Sequence, residues 1–296
     1  MEQGFLSQVG LPLAVVLMMV AMGLTLSVAD FKRLLSNPRP VGLGLVNQLV
    51  LLPIAGFIVA LIFPLEAVFA ISLMMIAACP GGPMSNLIVH VAEADRALSI
   101  TLTAISNMLA FLSVPLIVNF AIGYFSAGVD TISLPVLQTM LQIALLTVVP
   151  VIIGMFIRSR NPDFAERTKP LFKRLASGLM FVVIMALVIQ NIDLIINKGP
   201  VFGPALIVLN ALTMGIGYWS ARLLKLNIPQ SNTIMVETGV QNATLAITIA
   251  LTLLNNTDMS IIPALYGLWM LITGFPIAWW LGQRQASPHA KMAMSQ

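Results

Sequence analysis

Charge and cysteine are what this sequence has least of. Only 9% of its 296 residues are charged, and there is a single cysteine, Cys79. A lone cysteine excludes a disulfide within the chain and a zinc cluster built on cysteines. No polar stretch is long enough for a soluble domain; the longest are Arg158–Lys169 and the tail from Gln283. The opening residues Met1-Glu2-Gln3-Gly4 lack the positive n-region of a signal peptide, so the first apolar segment is expected to be retained. The ten-residue alternating segments of a transmembrane β-barrel are missing too. What is present is apolar: 58% hydrophobic residues and a mean hydropathy of +0.97. Runs such as Leu43–Phe63 and Leu134–Ile157 reach the roughly 20 residues a helix needs to cross a bilayer. The expected class is an all-α polytopic membrane protein forming one unit over residues 1–296.

Apolar runs read against turn and charge signals predict nine helices: Leu11–Ala29, Val41–Phe63, Ala67–Val91, Ala97–Tyr124, Ser133–Ile157, Leu171–Asn197, Val201–Leu223, Gln230–Leu254 and Ile261–Leu281. With the N-terminus outside and the C-terminus inside, 14 of the 15 basic residues fall on the inner side and only Lys198 falls outside. Adding or dropping one mid-chain helix destroys that asymmetry. The pI near 9.5 is therefore a topology signal and not a nucleic-acid footprint.

Two of these helices are interrupted. The third contains Cys79-Pro80-Gly81-Gly82-Pro83-Met84-Ser85-Asn86 in mid-membrane. Two prolines and two glycines in four positions cannot hold a regular helix. The eighth carries Glu237-Thr238-Gly239-Val240-Gln241-Asn242, with four polar side chains and a glycine near its middle. Backbone groups freed at such breaks need partners from protein, ion or water, because lipid offers none. Paired breaks, one in each half of the chain, point to the binding site of an inverted-repeat transporter. Helices one to four and six to nine form equal sets joined through helix five, with the breaks third in each set.

Glu237 is the only acidic residue deep inside an apolar segment. A carboxylate at that depth is penalised by roughly 2.5–3.5 kcal/mol on insertion scales, so it faces a polar cavity, meets a cation or holds a proton. The surrounding donors are hard oxygens: Ser85, Asn86, Thr238, Gln241, Asn242 and the carbonyls at the breaks. Such ligands suit alkali or alkaline-earth ions, and one carboxylate is too little charge for tight binding of a divalent ion. Sodium, or a proton on Glu237, fits. Cys79 has no base beside it and reads as a packing residue. The 18 methionines are most simply lipid-facing or gap-filling.

These motifs resemble those of a known family. Cys79-Pro80-Gly81-Gly82-x-x-Ser85-Asn86 and Glu237-x-Gly239-x-Gln241-Asn242 look like the two crossover motifs of the bile acid:sodium symporter family. Gly23-Leu24-Thr25-Leu26 followed by Asp30-Phe31 is similar to that family's early helix. The likeness is to a bacterial, apical-sodium-dependent-bile-acid-transporter-like member in a nine-helix form lacking the usual first helix. It implies a core domain of helices two, three, four, seven, eight and nine and a panel domain of helices one, five and six. It also implies two sodium sites behind two crossed, broken helices. One would use Ser85, Asn86, Ser99, Thr103 and Glu237. The other would use Gln48, Glu237, Thr238, Val240 and Gln241, with main-chain carbonyls at Thr238 and Val240. Substrate would bind beside the crossing, near Gly81, Gly82, Pro83 and Asn242. Pro83-Met84 stands where many members have small or hydroxylated residues, and Trp269-Met270-Leu271 is less polar than a polar substrate wants.

The function so implied is sodium-coupled symport of an organic anion, bile-acid-like or a small carboxylate, across the cytoplasmic membrane. Its alternative is a proton-coupled or uncoupled carrier of the same superfamily. A membrane-embedded enzyme with Glu237 as base lacks a second carboxylate, His or Cys to complete a catalytic set. A ligand sensor that does not transport is the remaining class.

Overall fold

The computed structural model describes residues 9–126 and 135–293, without the side chains of residues 33–35 and 285–293. Residues 1–4 and the expected start of the fifth helix at Ser133 lie outside the described residues. Among the described residues every regular element is a helix: α1 (Leu11–Gly23), α2 (Val28–Ser36), α3 (Pro38–Ile62), α4 (Ala67–Ala78), α5 (Pro83–Val91), α6 (Arg96–Phe125), α7 (Val136–Arg160), α8 (Pro162–Gln190), α9 (Ile192–Leu223), α10 (Ile228–Gly239), α11 (Ala243–Leu253) and α12 (Asp258–Ala293). Six of these, α3, α6, α7, α8, α9 and α12, are continuous helices long and apolar enough to cross a membrane. The chain is a multi-pass membrane protein. Its polarity runs from inside to outside, as lipid requires. Ile54, Leu116, Leu141, Phe156, Phe181 and Ile272 are about half exposed or more, while Ser85, Ser99, Thr103 and Glu237 are buried.

Three expected helices end elsewhere; the ninth, expected to stop at Leu281, runs on to Ala293 as α12. The first stops at Gly23, and the remainder up to Ala29 becomes a bend and the start of α2. The cause is local: Asp30 Oδ2 accepts from both the N–H (2.8 Å) and the hydroxyl (2.7 Å) of Ser27, a capping arrangement that starts a new helix. Thr101 Oγ1 on α6 donates to the carbonyl of Asp30 at 3.2 Å and anchors α2. The sixth helix ends at Gln190 and not at Asn197. Asn191 breaks the helical dihedrals (φ −112°, ψ 24°) and its Nδ2 donates to Leu187 O at 2.8 Å. Pro200 is accommodated inside α9, so Lys198-Gly199-Pro200 is helical and Lys198 pairs with Glu66.

The packing needs close approaches. α1 lies against α7 and α8. A Cβ on Gly23 would stand 2.2 Å from Val151 O, and one on Gly154 would stand 2.5 Å from Val20 O. Only glycine at both positions lets the two backbones touch. In α3, Pro53 removes the N–H that a regular helix would bond to the fourth residue back, and the preceding turn, Asn47–Leu51, widens so that Leu52 N reaches Asn47 O. That turn carries the buried Asn47 and Gln48.

Candidate functional site at the crossing of the broken helices

Helix α4 stops at Ala78 and α5 restarts at Pro83; α10 stops at Gly239 and α11 restarts at Ala243. The two unwound segments cross as an antiparallel pair centred on Gly81 and Gln241. Gly82 is suited to the contact, since a Cβ there would lie 3.3 Å from Gln241 O.

Every carbonyl of the first break is partnered. Cys79 O accepts from Gln48 Nε2 (3.1 Å), Pro80 O from Asn242 N (2.8 Å), Gly81 O from Asn107 Nδ2 (2.9 Å) and Gly82 O from Ser85 Oγ (2.7 Å). At the second break, Gly239 O accepts from Asn210 Nδ2 and from Tyr266 OH, each at 2.9 Å. Protein groups thus do what water would do for an unwound strand in solution.

Two groups of oxygens gather behind the crossing. In the first, Glu237 Oε1 accepts from Ser99 Oγ (2.5 Å) and Ser85 Oγ (2.7 Å), and Oε2 accepts from Thr103 Oγ1 (2.9 Å). Asn86 Oδ1 accepts from Ser99 Oγ at 2.9 Å, and its Nδ2 donates to Thr103 Oγ1 at 3.3 Å. Ser99 and Thr103 lie one helical turn apart on α6 and so share a face. In the second group, Gln48 Nε2 donates to Gln241 Oε1 at 2.5 Å. Gln241 Nε2 donates to the carbonyls of Thr238 (2.7 Å) and Glu237 (3.5 Å). Val240 adjoins them in extended backbone (φ −113°, ψ 106°), which swings its carbonyl out of the helical direction. The Thr238 hydroxyl is turned back to Ile234 O at 2.7 Å, leaving its carbonyl as the oxygen facing this group.

The nine expected ligand residues therefore come together in two sets. The carboxylate of Glu237 faces the first only; the second meets Glu237 through its main-chain oxygen. Among the described residues no basic side chain pairs with Glu237, and no three His, Cys, Asp or Glu residues cluster. The donors are neutral oxygens around one acid, chemistry that suits a weakly held monovalent cation.

Beside the crossing lies a cavity of about 400 Å³ between α1, α5, α8, α11 and α12. Gly82, Pro83 and Asn242 line it as expected. Gly81 does not: a Cβ there would meet Glu237 Oε2 at 2.7 Å, so it faces the carboxylate. Asn242 Oδ1 caps α11 through Leu245 N (3.1 Å), and its buried Nδ2 has no partner. Four methionines, Met18, Met84, Met180 and Met270, also line the wall.

A model of the sodium bile acid symporter family matches residues 12–198. The chain belongs to that family. It is 28% identical over 267 residues, 88% of this chain and 79% of the relative, to an uncharacterized sodium-dependent transporter of Bacillus subtilis (strain 168). It is 26% identical over 271 residues, 88% of this chain and 75% of the relative, to the ileal sodium/bile acid cotransporter of Homo sapiens. A probable chloroplastic sodium/metabolite cotransporter of Arabidopsis thaliana is 30% identical over 233 residues, 78% of this chain. The chain spans about half (56%) of the length of that relative and of its Oryza sativa subsp. japonica counterpart. The sodium bile acid symporter family is one of transporters and not of enzymes.

Three residues of this site were not expected from the motifs. Asn107 continues the Ser99–Thr103 series by another four residues, and that spacing is a signal that could have found it. Asn210 and Tyr266, which hold Gly239, sit in α9 and α12 with no such pattern around them.

Proposed function

We propose that this protein is a sodium-coupled symporter of an organic anion, working by alternating access. The observation that carries this reading is Glu237: a buried carboxylate held by three hydroxyls, with no basic partner among the described residues. Each of those hydroxyls has two lone pairs that can turn toward an arriving cation. One sodium ion would be held by Ser85, Asn86, Ser99, Thr103 and the Glu237 carboxylate. A second would be held by Gln48, Gln241 and the carbonyls of Glu237, Thr238 and Val240. Occupation of both would neutralise Glu237 and stiffen the crossing, and with it the wall of the substrate cavity.

The moving parts in this reading are a panel of α1, α7 and α8 and a core of the remaining membrane helices. The mutual packing of α1, α7 and α8 supports it. Basic-residue asymmetry supports nine crossings of the cytoplasmic membrane, with the N-terminus outside and the C-terminus inside. The anion would sit in the cavity against Gly82, Pro83 and Asn242, with the unpartnered Asn242 Nδ2 as its donor. Two sodium ions with a monoanion carry one net positive charge, worth about 2.3 kcal/mol per 100 mV of membrane potential.

A proton on Glu237 is the rival. It is favoured by the alternative acceptors of Ser85 and Ser99, namely Gly82 O and Asn86 Oδ1, which let either hydroxyl receive a bond from a protonated acid. Uptake by proteoliposomes across a pH series, with and without sodium, separates the two. Sodium coupling gives uptake that requires a sodium gradient at every pH; uptake driven by a pH gradient in sodium-free buffer overturns it. Sodium-dependent thermal stabilisation against a panel of organic acids then identifies the substrate class.

A further inference from the structure

A second cavity, of about 430 Å³, lies away from the crossing where α9 ends, α10 begins and α12 leaves the helical bundle. Asn232 forms part of its wall. This side chain is 1% exposed, yet neither its Nδ2 nor its Oδ1 has a hydrogen-bond partner. A buried amide with both ends unpaired is penalised by about 1–3 kcal/mol per group unless something fills them. At the mouth, the Arg284 guanidinium lies 3.8 Å from the centroid of the Trp280 ring. No carboxylate pairs with Arg284 among the described residues. The rest of the wall is Tyr218 and apolar side chains, among them Met235 and Ile277.

The cavity opens on the bilayer-facing exterior, where Ile228, Trp279 and Trp280 are about half exposed or more. By helix count it shares a side of the membrane with the basic residues at the start of α6 and the ends of α7 and α9. Tryptophans beside an unpaired arginine mark the headgroup depth of a bilayer. From these features we infer that the cavity is a binding site for an anionic glycerophospholipid. Arg284 takes the phosphate, and Tyr218 and Trp280 flank the headgroup. Asn232 meets a headgroup hydroxyl or a glycerol-ester carbonyl, and Met235 and Ile277 receive the first methylenes of an acyl chain. A phosphate would complete the charge at Arg284, and the ester region would satisfy the stranded amide; a zwitterionic lipid supplies a choline that repels the arginine.

The test is native mass spectrometry of the purified full chain, titrated with phosphatidylglycerol, with phosphatidylcholine of the same acyl chains, and with soluble glycerol phosphate. The expected result is binding of phosphatidylglycerol about tenfold tighter than phosphatidylcholine, roughly 1.4 kcal/mol. That preference should be lost in Arg284→Gln, a substitution at an exposed side chain whose contact with the Trp280 ring is the one interaction it gives up among the described residues. Asn232→Ala should weaken both lipids while keeping the preference. Equal binding of the two lipids, a preference that survives Arg284→Gln, or glycerol phosphate bound as tightly as the lipid would each overturn the assignment. Sodium-driven transport is not the readout, so failure here is distinguishable from failure of the transport reading.

Discussion

The N–H of Asn242 donates to the carbonyl of Pro80 at 2.8 Å and ties the two broken helices together at their crossing. The bond joins the two sides of the proposed machinery. Asn242 lines the substrate cavity, whereas Pro80 lies two residues before Gly82 and beside the carbonyls held by Gln48 and Asn107. In the proposed reading, a shift of either half-helix at the ion groups would reach the cavity wall through this bond.

Gly81 leaves the space that the carboxylate occupies. Gly81→Ala puts a methyl 2.7 Å from Glu237 Oε2. Overpacking of this kind costs about 1–3 kcal/mol, so the half-saturating sodium concentration in a thermal-stabilisation titration should rise about tenfold. Gly123→Ala, where a Cβ has no neighbour within 4 Å, should leave it unchanged and serves as the control.

Ser99 is bonded to both Glu237 Oε1 and Asn86 Oδ1. Ser99→Ala removes the hydroxyl bonded to Asn86 Oδ1 and leaves Glu237 Oε1 with Ser85 Oγ alone, a loss of about 1–3 kcal/mol. Sodium titrations of uptake should show at least about a tenfold higher sodium requirement, with the maximal rate at saturating sodium largely kept. An unchanged requirement would remove Ser99 from the ion group.

In the proposed reading Asn242 serves the substrate and not sodium. Asn242→Asp keeps the oxygen that caps α11 but replaces the unpartnered Nδ2 with a charged oxygen beside the anion. Substrate KM should rise by more than about tenfold, while sodium alone still stabilises the protein. Loss of sodium stabilisation instead would place Asn242 on the ion side of the crossing.

How much of this was readable beforehand follows from which forces are local. Pro80, Gly81, Gly82 and Pro83 forbid a helix by their own covalent structure, so the first break was legible from four letters. Glu237 was legible because its burial is expensive whatever surrounds it. Of the hydroxyls that meet Glu237, Ser85 was named from the residues at the break, Ser99 and Thr103 came from the family resemblance, and Asn107 could have joined them by spacing alone. Asn210 and Tyr266 could not: neither belongs to a break motif or continues the Ser99–Thr103 spacing, and only the fold brings each to Gly239 O. The end of α1 was misplaced because Ser27 and Asp30 look like ordinary polar residues until they pair. The turn at Asn191 was hidden by Lys198-Gly199-Pro200, a stronger turn signal seven residues later that the helix absorbs.

Sodium-gradient-driven uptake by Glu237→Gln in proteoliposomes tests the central claim most directly. The glutamine keeps the size and much of the hydrogen bonding of the acid but removes the only charge in the ion groups. The expected result is a variant that inserts and purifies as a folded protein, shows no stabilisation by sodium and gives no sodium-dependent uptake. Undiminished sodium-driven uptake by that variant would contradict the account.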